Sequence, residues 1–505
     1  MSDRCVIGVD VGTSSTKGCL VTFDGVVLAT EVRHHSAHRG QVGHVEMNAE
    51  DWWVEYCSVV QRLVAVAMSR HLTIASVGVS GMGPCVALAN DSGAPTRPAI
   101  LYGIDTRASE QIARLHAKLG IDEIVSRGGS VLTSQAAGPK IAWVKDNEPE
   151  IYARSSRFFM PASWLTWNLT GEYVLDHQSA SQCWPLYDIE SRQWHRPWAE
   201  LIAPGIELPR LAWANDVAGF VSQSASFATG IPTGTPVVVG SIDAWMEAIS
   251  VGAHRVGDLL LMYGSTMFLV ATTSNPTRHP TLWSTSGALP DTWSLAGGMA
   301  TSGATTDWIR SLWGGQSAPE FGALMDEATN SGAGANGLLM LPYFAGERTP
   351  ILDPEARGVI AGLTLTHTRG DIYRAALEAT AFGVKHNLEQ LALAGVIPDR
   401  IVVAGGGTQG GLWTQIVSDI VDIEQVVPSV TFGASFGAAL VAAQAVDGDV
   451  SVDTWNPPVA AVTPNETLRE FYDERYRRYR ELYTQTADIV HYLAGEQRSQ
   501  MPARP

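Results

Sequence analysis

A chain of 505 residues, 45% of them apolar and 17% charged, is long enough for about two to four domains with sizeable cores. Its formal net charge of −17 and pI near 5.2 exclude a polyanion-binding surface for nucleic acid or acidic membrane, so any phosphate must be gripped locally by backbone donors, helix ends or Mg²⁺. Cys5, Cys19, Cys57, Cys85 and Cys183 are odd in number and lack C-x-x-C spacing, and no run of about 18 apolar residues occurs; the chain reads as cytoplasmic, without a disulfide framework.

The segment 5–20, CVIGVDVGTSSTKGCL, is an apolar β-rich run that delivers Asp10 and then a hydroxyl-rich turn. Gly12, Thr13, Ser14 and Ser15 can offer backbone N–H groups and hydroxyls to phosphate oxygens, leaving Asp10 to hold Mg²⁺ through water. An ordinary hairpin with a polar tip is the competing reading. Strands over 6–11, 19–23 and 26–32 form a meander, with Asp24-Gly25 as a turn, and a helix over 51–69 carries Trp52, Trp53, Tyr56 and Val60. His34, His35, His38 and His44 precede that helix without acids or thiols at ligand spacing, so they read as a solvated polar loop. A strand resumes over 74–80.

Residues 100–232, rich in Trp, Pro and loop signals, read as an elaboration on the first domain, of the kind that binds substrate or forms an interface. The apolar run 237–240 then delivers Asp243, the candidate base for a hydroxyl nucleophile, although Asp before Ala-Trp-Met-Glu also suits helix capping. Strand, glycine-centred turn and strand recur from residue 257, with Tyr263-Gly264-Ser265-Thr266-Met267 repeating the hydroxyl-rich tip; two facing tips would clamp a polyphosphate. A helix over 371–393 and a strand over 400–403 follow. Gly405, Gly406, Gly407 and Thr408 then precede a helix over 412–421, and glycine lets backbone lie flat against a purine and its ribose; a ligand-free glycine turn is the alternative. The charged segment from Thr467 has aromatics at helical spacing and reads as a packed terminal helix.

With these four motifs in this order, the chain resembles the FGGY carbohydrate kinases, within the superfamily of sugar kinases, actin and chaperone ATPases. The likeness runs from about residue 6 to 442 and includes the signature 358–382, GVIAGLTLTHTRGDIYRAALEATAF, with Gly362-Leu363, Arg374 and Glu378 at family spacing. It implies an α/β fold of two ribonuclease-H-like, actin-like lobes with a central nucleotide and sugar cleft: residues 1–252 as the sugar-binding lobe with its insertion, 253–447 as the nucleotide-binding lobe, and 448–505 as linker and helix. Hinges are expected near 251–257 and 435–442. The resemblance further implies phosphate contacts at Thr13, Ser14, Ser15, Lys17 and Ser265, beside Gly12, Gly264 and Thr266. Nucleotide contacts fall at Gly303 and Asp307 and over Gly406, Gly407, Thr408, Gln409 and Gly410. Asp243 matches the family's catalytic aspartate, and Mg²⁺ is assigned to Asp10 and Asp243 through water.

The acceptor side is assigned to Met82 and Gly83, to Tyr102, Asp105 and Arg107, and to Asp243 and Trp245, with Asp105 and Arg107 bonding vicinal hydroxyls and Tyr102 or Trp245 stacking on a sugar face. Many xylulose kinases of the family carry Met-His where this chain has Met82-Gly83, and glycerol kinases an Arg-Glu pair where it has Gly83-Pro84. The expected activity is transfer of the γ-phosphoryl of ATP to a small carbohydrate, a pentulose such as xylulose first. A kinase for glycerol, ribulose, gluconate or a linear signalling ketone stays open, as do a sugar-independent ATPase or regulator and a silent sugar-binding module. The partner is a small sugar or polyol; self-association as a homodimer is left open.

Overall fold

The computed structural model describes residues 3–313 and 318–500. The apolar run after Asp3 forms β1 (Arg4–Val11), which turns at Gly12 into β2 (Ser15–Thr22) and at Gly25 into β3 (Val27–His34), an antiparallel meander. Helix α1 (Ala49–Ser69) buries Trp52, Tyr56, Val59, Val60 and Leu63, spaced three and four residues apart, and leads into β4 (Thr73–Gly81), parallel to β1. After the insertion, β5 (Val217–Phe220), β6 (Pro236–Val238) and β7 (Ser241–Ile242) complete a seven-stranded sheet in the order β5-β6-β4-β1-β2-β3, with β7 pairing parallel to β4. Helix α2 (Asp243–Ser250) starts directly after β7.

The second unit repeats the pattern. β8 (Asp258–Tyr263) and β9 (Met267–Thr273) form an antiparallel hairpin flanked by β10 (Trp293–Gly298), and helices α3 (Gly303–Leu312) and α4 (Arg369–Leu393) follow. β11 (Arg400–Ala404) lies parallel to β8, and after α5 (Leu412–Val421) and β12 (Gln425–Pro428) the sheet order is β10-β9-β8-β11-β12. The hairpin with a parallel strand beside it, β2-β1-β4 in the first unit and β9-β8-β11 in the second, is the topological duplication expected from the two hydroxyl-rich turns.

Helix α6 (Ala434–Val446) departs from the linear division. Contacts group residues up to 256, 272–294 and 430–457 in the first unit, and 257–271, 295–429 and those from 458 on in the second. By contacts, 430–457 thus groups with the first unit. The reason is close packing: a Cβ on Gly8 would stand 2.0 Å from the Ser435 carbonyl oxygen, and one on Gly78 1.9 Å from that of Ala438, so the glycines of β1 and β4 admit α6 at backbone contact. Residues 435–442, where a hinge was expected, are buried helix.

In the second unit β13 (Pro458–Val462) pairs with β12, and α7 (Arg469–Gln500) packs Tyr472, Tyr476 and Tyr479 inward. Its Arg477 and Arg478 pair with Glu474 and Glu481 on the exposed face. The 358–382 signature serves this core. Arg374 donates to Glu378 at 2.9 Å one turn on, Arg374 and Tyr472 meet at 2.9 Å, and Glu378 accepts from Gly334 N. Among the described residues no helix is long and apolar enough to cross a membrane.

Candidate active site

β1 and β4 run parallel with Asp10 opposite Ser80, and β7 pairs Ser241 with the same Ser80, so Asp10 and Asp243 emerge at the same end of the sheet, on strands that both pair with β4. That end of a doubly wound sheet is where such folds present ligands. Gly240 makes the approach possible: it sits at φ +73°, and a Cβ there would lie 2.0 Å from the Val79 carbonyl. Ser241 is braced by its hydroxyl, which donates to Asp176 Oδ2 at 2.6 Å. Asp243 is the first residue of α2, its Oδ1 accepting from Ala244 N at 2.8 Å, so it has part of the capping role as well.

One helical turn further, Glu247 is buried on the same helix. Burial raises the carboxyl pKa of Asp243, the charge of Asp10 adds to it, and Glu247 contributes, while the Ala244 N–H works the other way. Asp10 is also raised by burial, with Ser80 and Lys17 offsetting part of the effect. Glu247 is pushed up to about 7, by burial first and by Asp10 second. Three acids thus share one site and are held toward their protonated forms. Glu247 escaped the sequence reading; its only signal was an acid four residues from Asp243 within an apolar helix.

The turn between β1 and β2 is closed by Gly12 N donating to Ser15 O at 3.0 Å. Ser14 is exposed at the tip with Lys17 exposed on β2, whereas Ser15 opens β2 and is buried, so its hydroxyl is not at the tip. His35 supports the turn from behind: Nε2 is 2.9 Å from Gly12 O, Nδ1 is 2.7 Å from Glu55 Oε2, and its N–H donates to Ser14 O. The solvated-loop reading therefore fails for His35, whose partner on α1 cannot be inferred from local spacing. Thr13 Oγ1 lies 2.9 Å from the Tyr102 hydroxyl.

The acceptor-side candidates divide. Met82 is buried, and a Cβ on Gly83 would strike the Ile242 side chain at 2.5 Å, so this loop packs against β7. Asp105 and Arg107 are corrected: their side chains are 0% and 1% exposed, Asp105 Oδ2 accepts from Val45 N at 2.6 Å and Arg107 Nη2 at 2.7 Å, and Arg107 Nη1 donates to Glu46 at 2.6 Å. Both are spent on a buried ion network and present nothing to a sugar. Trp245 is buried, 6% exposed, and its indole donates Nε1–H to Ser294 Oγ at 2.9 Å. Lys140, not singled out in the sequence, is buried and donates to the carbonyls of Leu101 at 2.6 Å and Tyr102 at 2.8 Å; burial lowers its pKa to about 7.

In the second unit Gly264, Ser265 and Thr266 form an exposed tip between β8 and β9. Its carbonyls cap α3: Gly303 N donates to Gly264 O, and Ser302 N and Ala304 N to Ser265 O, each at 3.0 Å. The Gly303 N–H is therefore committed to the protein, while Asp307, one turn later, is exposed beside Arg310 at 3.1 Å. After β11, Gly405 adopts φ +95° against the Tyr263 backbone, and Thr408 Oγ1 closes the turn on Gly405 O at 2.8 Å. Gly406, Gln409 and Gly410 face outward, and a Cβ on Gly406 or Gly410 would meet nothing within 4 Å. This is an open backbone shelf with Tyr263 and Trp413 behind Gly407.

Two hydroxyl-tipped hairpin folds, one with carboxylates at its strand ends and the other with a glycine shelf, define an α/β phosphotransferase of the actin-like ATPase type. The chain belongs to the FGGY family of carbohydrate kinases: its N-terminal domain is matched by residues 5–250 and its C-terminal domain by residues 259–446. The crystal structure of xylulose kinase from Rhodospirillum rubrum is similar with a TM-score of 0.90 and 30% identity, covering 97% of this chain and 100% of that one. The xylulose kinase of Escherichia coli strain K12 is 26% identical over 497 residues, 96% of this chain and 99% of the relative. Glycerol kinase 2 of Streptomyces avermitilis is 28% identical over 501 residues, 94% and 96% of the two chains. The protein is an ATP-using carbohydrate kinase with an alcohol group as phosphoryl acceptor.

Proposed function

We propose that the acceptor is a small ketose, a pentulose such as xylulose first, and that Asp243 takes the proton of the attacking hydroxyl. The observation that carries this reading is the convergence of Asp243 and Asp10 at the ends of the two strands that flank β4, with burial raising both carboxyls and the charge of Asp10 raising Asp243 further. A base poised near the working pH serves phosphoryl transfer best. The new bond forms between the acceptor oxygen and the γ-phosphorus, the bond to the ADP oxygen breaks, and the acceptor's proton passes to the Asp243 carboxylate. Thr13 and Ser14 of the first turn and the 264–266 tip bind phosphate; Gly406, Gly407, Gln409 and Gly410 carry the adenosine. The relatives named as xylulose kinases favour a pentulose, while the glycerol kinase relative keeps polyols within the test.

Asp10 Oδ1 is buried with no hydrogen-bond partner, an orphan that suits a hydrated cation. Among the described residues no three His, Cys, Asp or Glu side chains are grouped closely enough to ligate a metal ion, so Asp10 and Asp243 would hold Mg²⁺ through its waters. Bound there, the ion would neutralise charge on the phosphate oxygens. A panel of pentuloses, hexuloses, pentitols, gluconate and glycerol, read by ADP release, tests the assignment. Turnover with a pentulose and little without acceptor is expected; ADP release indifferent to the acceptor would make the protein an ATPase and refute it.

A further inference from the structure

Tyr102 belongs to the acceptor-side segment, yet its hydroxyl reaches 2.9 Å to Thr13 Oγ1 in the turn between β1 and β2, across 89 positions of sequence. The backbone that carries Tyr102 is pinned from several sides. The buried Lys140 ammonium donates to the carbonyls of Leu101 and Tyr102, Gly103 N donates to Gln135 Oε1 at 2.8 Å, and the Ser134 hydroxyl donates to Gly103 O at 2.9 Å. A buried ammonium loses its hydration and is kept only where acceptors replace it, so residues 101–103 sit in one place at considerable energetic cost. Behind the turn, His35 and Glu55 hold Gly12 and Thr16. Thr13 stands between these two braced bodies, and its side chain is oriented by Tyr102.

We propose that the Tyr102 hydroxyl is a positioning group: it fixes the Thr13 side chain in the phosphate turn and so ties the geometry of that turn to the Lys140-pinned acceptor segment. This rests on the kinase reading above. The aromatic ring and the hydroxyl of Tyr102 then have separable roles, the ring toward the acceptor and the hydroxyl toward Thr13. Removing the hydroxyl leaves the ring in place and frees Thr13 to rotate, which spoils alignment in the transition state more than acceptor binding.

The test compares wild type, Tyr102→Phe, Thr13→Val, the double variant and Thr13→Ser for kcat and KM with the best acceptor of the panel. Each of the two hydroxyl deletions is expected to lower kcat by roughly tenfold, the value of one hydrogen bond at the upper end of its range, with acceptor KM changed by less than about twofold. The double variant should lose no more than Thr13→Val alone, and Thr13→Ser should regain most of the rate, because a serine hydroxyl can meet Tyr102 as well. An unchanged Tyr102→Phe, or losses that multiply to about a hundredfold in the double variant, overturns the proposal. If no acceptor of the panel supports turnover, it is the proposed acceptor class that has failed, and the pair is still read by thermal unfolding of the same proteins with and without Mg-ATP. Non-additivity that changes with nucleotide supports the positioning role; equal non-additivity in both conditions assigns the bond to fold stability and overturns it.

Discussion

Gly437→Ala is the sharpest perturbation of the catalytic geometry that touches no reacting group. Gly437 of α6 lies against α2, where an added Cβ would stand 1.9 Å from the Met246 carbonyl oxygen and 2.7 Å from its carbon. Both atoms are backbone, so no side chain can swing aside. Restoring an ordinary 3.4 Å contact parts the helices by about 1.5 Å at that point. Overpacking of this kind costs about 1–3 kcal/mol or more, and a shift near 1 Å in a helix that carries a base costs about a hundredfold in rate. Gly437→Ala is therefore expected to lower Tm by several degrees and kcat by about a hundredfold, with Mg-ATP affinity by calorimetry little changed. Gly322→Ala is the control: Gly322 is in the first turn of the helix Phe321–Ser331, nothing lies within 4 Å of a Cβ there, and the substitution should leave Tm and kcat unchanged. A Gly437→Ala protein with wild-type Tm and kcat would refute the argument that α6 sets the position of Asp243.

Asp243→Asn should abolish phosphorylation while Mg-ATP still binds by calorimetry. In the wild type only the ionised base works and its pKa is raised, so kcat should fall as pH drops through that raised value; an acid limb that persists in a residually active Asp243→Asn protein would assign it elsewhere. Gly406→Leu should leave Tm unchanged, since nothing lies within 4 Å of a Cβ there, but should weaken ATP binding by about tenfold or more in a fluorescence titration. Glu347, buried in the second unit and accepting from Ala300 N and Arg348 N, has its carboxyl raised by burial to about 8. Between its usual 4.5 and that value the folded protein holds the extra proton, so the group's contribution to stability is present at low pH and is lost as pH rises to about 8. Glu347→Gln keeps the acceptor oxygen and should flatten this slope in thermal scans; an unchanged slope would show that another group sets it.

Local chemistry made much of the molecule legible from its residues. Apolar runs ending in an acid marked β1 with Asp10 and the approach to Asp243, and a glycine cluster after a strand marked the shelf at 405–411. Periodic aromatics marked α1 and α7, and α5 falls on the expected residues 412–421. These signals are carried by neighbours within a turn or a strand pair, where side-chain period and backbone freedom suffice. What only the tertiary structure decided depends on partners remote in sequence. Arg107 is taken by Glu46 61 residues away, Trp245 by Ser294 49 residues away, and Thr13 by Tyr102 89 residues away, and no local pattern ranks such a partner above a ligand. The same holds for α6: only the paired glycines of β1 and β4 decide which sheet it covers.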